Sequence, residues 1–124
     1  MSVKFFGCGK CGSIITFLKD TGVPISCCGE RLTELVPGTS DGASEKHVPV
    51  VTQDGSHITV SIGSAEHPML EEHYIEWVCL ETKKGFQVKY LKPGQSPKAE
   101  FIVTPDDEAI AVYEYCGLHG LWKK

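Results

Sequence analysis

The chain has 124 residues, of which 41% are hydrophobic and 23% charged, and its formal net charge is −4 at pH 7. That length admits one small domain, or one domain with a short extra module, and excludes both two large domains and a disordered tail protein. There is no basic stripe, so neither nucleic-acid binding by counterion release nor a membrane-surface role has support.

Residues 1–36 carry four of the six cysteines, as Cys8-x2-Cys11 and the adjacent pair Cys27-Cys28. A segment below about 40 residues usually needs a metal or disulfides to fold. The N-terminus has no apolar stretch of signal-peptide length, so the sequence reads as cytoplasmic, where thiols are metal ligands more often than disulfides. Gly7, Gly9, Gly12 and Gly29 surround the thiols and let the backbone turn tightly. Four thiolates favour a tetrahedral zinc or iron ion, and the spacing alone does not separate the two. Neighbouring side chains converge on one ion only if the backbone bends at Cys27-Cys28. Two apolar runs, at 14–18 and 32–36, are expected as strands.

Residues 37–44, PGTSDGAS, are turn-formers with no large apolar anchor, the mark of a linker. The remainder, 45–124, carries the whole charge deficit: eight basic and twelve acidic side chains. It reads as short strands at 48–53, 57–62, 73–82, 86–91, 98–103 and 110–116, rich in Val, Ile, Tyr, Phe and Trp. Ile58/Val60/Ile62 and Phe86/Val88/Tyr90 alternate with period 2, and no stretch keeps a helical period over three turns. The predicted fold is all-β: a small four-cysteine metal module followed by an immunoglobulin-like antiparallel β-sandwich, with a small open barrel as the alternative.

All five histidines fall in this second part. His57 leads a strand with no other ligand type nearby and reads as a surface or rim residue. His47, His67, His73 and His119 sit at strand ends or in loops, where a rigid sandwich presents its ligands. Pro68 biases His67 towards extended backbone, and Cys116-x2-His119 lets one loop supply two ligands. Four imidazoles and one thiolate exceed the four ligands of a closed structural zinc site and leave one octahedral position open. Such a set suits iron that reacts with a small oxygen species, since a thiolate pushes electron density towards what binds. Cys79 lies in the 73–82 strand on the expected face of Ile75 and Trp77, as a small buried hydrophobe.

These residues resemble the superoxide reductases of the desulfoferrodoxin type. Cys8-x2-Cys11 with Cys27-Cys28 is similar to the desulforedoxin module. EKHVP at 45–49, HPM at 67–69, HYIEW at 73–77 and CGLHG at 116–120 are similar to the neelaredoxin-like catalytic domain. The resemblance implies a desulforedoxin-like module at 1–36, a linker at 37–44 and the catalytic sandwich at 45–124. It implies two mononuclear irons: an Fe(Cys)4 centre at Cys8, Cys11, Cys27 and Cys28, and an Fe(His)4(Cys) centre at His47, His67, His73, His119 and Cys116. The implied reaction is one-electron reduction of superoxide to hydrogen peroxide. A rubredoxin-like electron donor and a homodimer are implied as well. Lys46 matches the lysine that attracts superoxide, and Glu45 the carboxylate that closes the ferric site. Five thiolates offset one Fe(III) and one Fe(II), so the overall field stays acidic and attraction of the anion must be local, from the iron and Lys46.

Two other readings are kept. A non-catalytic electron carrier would use the four-cysteine cluster alone. A non-haem oxygenase would more typically use two histidines and one carboxylate.

Overall fold

The computed structural model describes residues 2–39 and 44–124, except that the side chain of Glu45 lies outside the described set. The chain divides into two compact units, Met1–Val36 and Pro37–Lys124.

The first unit is built from five two-residue strands: β1 (Phe6–Gly7), β2 (Ile14–Ile15), β3 (Ser26–Cys27), β4 (Glu30–Arg31) and β5 (Thr33–Glu34). β1 lies between β2 and β5 in one antiparallel sheet, and β3 pairs with β4 in a hairpin. The expected strands at 14–18 and 32–36 shrink to two residues each. Strands this short cannot hold themselves through cross-strand packing, so loop chemistry decides their placement.

The second unit opens with a single helical turn, α1 (Ser44–His47), where the sequence suggested a loop. Of the predicted linker 37–44, residues 40–43 lie outside the described residues, while the Gly38 amide donates to Leu121 O at 2.9 Å. Seven strands follow: β6 (Pro49–Asp54), β7 (His57–Ile62), β8 (Ile75–Thr82), β9 (Gly85–Tyr90), β10 (Lys98–Ile102), β11 (Ala109–Cys116) and β12 (Gly120–Lys123). They form a three-stranded sheet, β10-β7-β6, and a four-stranded sheet, β12-β11-β8-β9, all antiparallel. This is the expected sandwich with one strand, β12, that the sequence did not announce.

Alternation explains the core. In β7 and β10 every second residue is buried, and Ile58, Val60, Ile62, Ala99 and Phe101 face inward. Ile75, Val78, Leu80, Val112 and Cys116 meet them from the larger sheet. The step from Ile75 to Val78 breaks the period of 2. Between β8 and β11 the register shifts, with Cys116 opposite Ile75 but Tyr115 opposite Trp77, so Glu76 has no partner and forms a bulge. The bulge corrects the expected face of Cys79: it shares a face with Trp77 but not with Ile75. Cys79 is fully buried all the same, and burial pushes its thiol up to about 12, as for a packed hydrophobe. No helix among the described residues is long and apolar enough to cross a membrane.

Candidate functional site

Both ligand sets expected from the sequence come together. The potential donor atoms of Cys8, Cys11, Cys27 and Cys28 lie within 4.8 Å of one another, and so do those of His47, His67, His73, Cys116 and His119. All six cysteines are free thiols.

Two tight turns make the four-cysteine set. The Cys8 amide donates to Ser13 O and the Gly12 amide to Cys8 O, both at 2.9 Å, which folds 8–13 into a knuckle. Cys27 pairs with Glu30, leaving Cys28 and Gly29 as a two-residue hairpin turn. Both turn residues have positive φ, 53° at Cys28 and 76° at Gly29, as a type I′ turn requires. This is the bend the adjacent pair needed: Cys27 ends a strand while Cys28 turns left-handed, and their sulfurs come to 3.9 Å. Cys11 Sγ and Cys27 Sγ are 3.5 Å apart. Four sulfurs at about 2.3 Å from one ion would stand about 3.8 Å apart, so the set fits a tetrahedral ion. The Ser13 hydroxyl, 3.2 Å from Cys11 Sγ, is the chief cause that brings this thiol down to about 6. Cys27, chiefly through its hydrogen bond with Cys11, is pushed up to about 12. Gathered thiols resist joint ionisation, and a bound cation would relieve that resistance.

The second set is assembled from four places. His47 ends α1, His67 and His73 belong to the loop between β7 and β8, Cys116 ends β11 and His119 lies in the turn before β12. α1 sits close over the end of β7 because of Gly63. Its φ is +79°, and a Cβ there would lie 2.7 Å from the Lys46 backbone. Met69 pins the loop: its sulfur lies 3.5 Å from the Ile75 amide and its carbonyl accepts from Gly94 N at 2.9 Å. Trp122 stacks on the His47 ring at 4.9 Å and donates its indole N–H to His119 O at 3.0 Å.

The four imidazoles form a closed cycle. His47–His67, His67–His73, His73–His119 and His119–His47 have centroids 4.7–4.9 Å apart and are inclined at 75–84°. His47 Nε2 lies 3.1 Å from His67 Nε2 and 3.1 Å from His119 Nδ1. Two nitrogens at right angles, each about 2.1 Å from an ion, stand about 3.0 Å apart, whereas tetrahedral ligands would stand about 3.4 Å apart. The two edges that meet at His47 are therefore nearer the right-angle spacing than the tetrahedral one. His67 Nδ1–H donates to Pro68 O at 2.7 Å, which leaves the Nε2 lone pair turned towards His47. His73 Nε2 is buried without a hydrogen-bond partner among the described residues, an orphan that a cation would satisfy. Burial lowers His73, and it lowers His67 to about 4, so both rings are neutral and ready to ligate at pH 7. Cys116 Sγ, fully buried, lies 4.0 Å from His119 Nδ1. Burial raises its thiol, while the amides of His119 and Leu118 pull it down.

Lys46 is exposed, and its charge contributes to lowering His73 after burial and His119. The Glu45 side chain lies outside the described residues. His57 stands away from the cluster and pairs with Glu100 at 3.2 Å on the surface, as a rim residue should. Sequence reasoning missed Trp122 and Gly63, although a Trp two residues after CGLHG and a Gly closing an apolar strand are signals in hindsight. It also missed Glu114, fully buried on β11, whose carboxyl burial pushes up to about 9 and whose oxygens have no hydrogen-bond partner among the described residues.

The desulfoferrodoxin family model matches residues 39–124. Desulfoferrodoxin from Nitratidesulfovibrio vulgaris is 43% identical over 120 residues, covering 97% of this chain and 94% of that one. The superoxide reductase from Treponema pallidum superposes with a TM-score of 0.83 at 40% identity, covering 100% of this chain and 99% of that one. A one-iron superoxide reductase from Giardia intestinalis superposes with a TM-score of 0.55 at 33% identity, covering 64% of this chain and 95% of that one. The family model covers most of the second unit and the relatives span nearly the whole chain, and the chain belongs to the desulfoferrodoxin family.

Proposed function

We propose that this chain is a superoxide reductase with two mononuclear irons, which reduces superoxide by one electron to hydrogen peroxide. The observation that carries the proposal is the cycle of four imidazoles, with His47 Nε2 3.1 Å from both His67 Nε2 and His119 Nδ1, beside the buried Cys116. The Treponema and Giardia structures, which are superoxide reductases, support it. Cys8, Cys11, Cys27 and Cys28 would hold one iron, and His47, His67, His73, His119 and Cys116 the other. The second iron, when bound, supplies the electron.

The chain's own residues do the rest. Five donors leave room for one small oxygen ligand. His67, fixed in one tautomer by Pro68 O, and His47, stacked on Trp122, keep the donor set from reorganising. The amides of Leu118 and His119 hold the Cys116 thiolate and moderate its donation. The Lys46 ammonium, on the exposed side of α1, draws in the anion against an acidic whole and provides a hydrogen bond as protons arrive. Glu45, at the same turn, would supply the carboxylate that closes the site once the ferric ion is bound. The units serve as an Fe(Cys)4 module at 1–36 and a catalytic sandwich at 45–124, joined through 37–44. The chain works in the cytoplasm as a homodimer and takes electrons from a rubredoxin-like donor.

Metal content with visible spectra of both oxidation states tests this directly. The proposal expects two irons per chain and a sulfur-to-iron absorption at each centre. Zinc in both sites would contradict it. For Glu45→Ala, an altered ferric spectrum with little loss of rate is expected, and an unaltered spectrum would remove Glu45 from the site.

A further inference from the structure

The bulge in β8 has its consequence at the Cys116 turn. Glu76 has no residue opposite it on β11, and an unopposed bulge residue is free to be aimed differently from its neighbours. Its backbone is fixed, since the Leu91 amide donates to Glu76 O at 3.0 Å. Its side chain reaches the turn that carries Cys116 and His119. A Cβ added at Gly117 would overlap Glu76 Oε2 and lie 3.5 Å from its Cδ. The carboxylate thus occupies the space a side chain at 117 would need, and only glycine leaves it free.

We propose that Glu76 is a positioning residue that holds an acidic group against the Cys116–His119 turn and so lowers the reduction potential of the ion bound there, with Gly117 kept small to admit it. This rests on the function proposed above. A negative charge beside a thiolate ligand favours the more oxidised cation, and charge and hydrogen bonding around such sulfurs are what a protein uses to set a potential. The bulge is then the device that spends one strand residue to deliver that charge.

The test is a potentiometric titration of the iron-loaded full chain, followed through the sulfur-to-iron absorption of the Fe(His)4(Cys) centre, for the native protein, Glu76→Gln and Gly117→Ala. Glu76→Gln keeps the shape and removes the charge. Gly117→Ala keeps the charge but expels the carboxylate, which sits at the end of a flexible side chain. Both variants are expected to keep the absorption and to raise the midpoint potential. The double variant should rise no further than the larger single change, because both act on one contact. An unchanged or lowered potential in Glu76→Gln overturns the proposal. If Glu76→Gln fails to fold, an unchanged or lowered potential in Gly117→Ala overturns it equally. A native protein with no reversible absorption at this centre would instead contradict the function itself, which separates the two failures.

Discussion

Among the described residues, the buried hydrophobic side chains of Met1–Val36 are Phe5, Cys8 and Leu32, and one of these is itself a ligand. In Pro37–Lys124 a contiguous core runs through four strands, from Ile58, Val60 and Ile62 to Val112 and Cys116. The first unit's five strands have two residues each, while those of the second run to eight. The same ligand atom, cysteine sulfur, therefore does two jobs. In the small unit the ion replaces a core the chain is too short to build. In the sandwich a core built from β-branched and aromatic residues stands by itself and presents a site at one end.

Metal removal should break this comparison open most widely. Chelation, or Cys8→Ser, is expected to unfold the first unit, since metal binding to such thiolate sets supplies on the order of 10 kcal/mol. Hydrogen exchange should then lose protection throughout 5–35 and keep it in β7, β8 and β11. Retained protection in the first unit would show that it folds without an ion. Cys116→Ser should do the opposite: turnover and the sulfur-to-iron absorption vanish, while sandwich stability changes by no more than about 2 kcal/mol. Trp122→Ala removes the stack on His47 and the bond to His119 O. It should cost about 3–5 kcal/mol by loss of a buried aromatic and weaken iron retention, read from melting and metal content. An unaffected iron affinity would reduce Trp122 to a packing role.

Smaller effects sharpen the picture of the sandwich. Lys46→Ala should slow superoxide reduction, most visibly at low ionic strength where its field is least screened. An unchanged rate constant would remove Lys46 from the mechanism. The smallest effect lies in the ion pairs at the β8–β9 turn. The Lys84 ammonium is the chief cause holding Asp106 below its ordinary 3.8. A depressed carboxyl contributes stability above its unfolded pKa and loses it as pH falls through the folded one. Melting curves of Lys84→Met and the native protein should therefore differ slightly at neutral pH and converge in acid below about pH 4.

Much of this was legible in the sequence, for reasons particular residues make plain. Six of the candidate ligands were readable because they fall in short motifs whose spacing the backbone nearly dictates: a knuckle at 8–13, a hairpin turn at 27–30, one turn supplying Cys116 and His119. The β7 and β10 strands were readable because one face is buried and the other is not. β12 was not, because Gly120–Lys123 is too short to show a period. α1 was hidden for the same reason, being one turn long. The bulge at Glu76 escaped because alternation read through 73–82 without interruption, and only the pairing with β11 reveals the slip that puts Ile75 and Trp77 on opposite faces. Trp122 was overlooked because its partners, His47 and His119, are separated from each other by most of the chain.

If the proposed function holds, the Fe(His)4(Cys) centre reduces superoxide without dismutating it. Dithionite-reduced, iron-loaded protein, freed of excess reductant and mixed with superoxide under an oxygen electrode, tests this most directly. Superoxide should disappear and peroxide accumulate, with no dioxygen released by the protein. Dioxygen released in step with peroxide, or superoxide decaying only at its spontaneous rate, would contradict it.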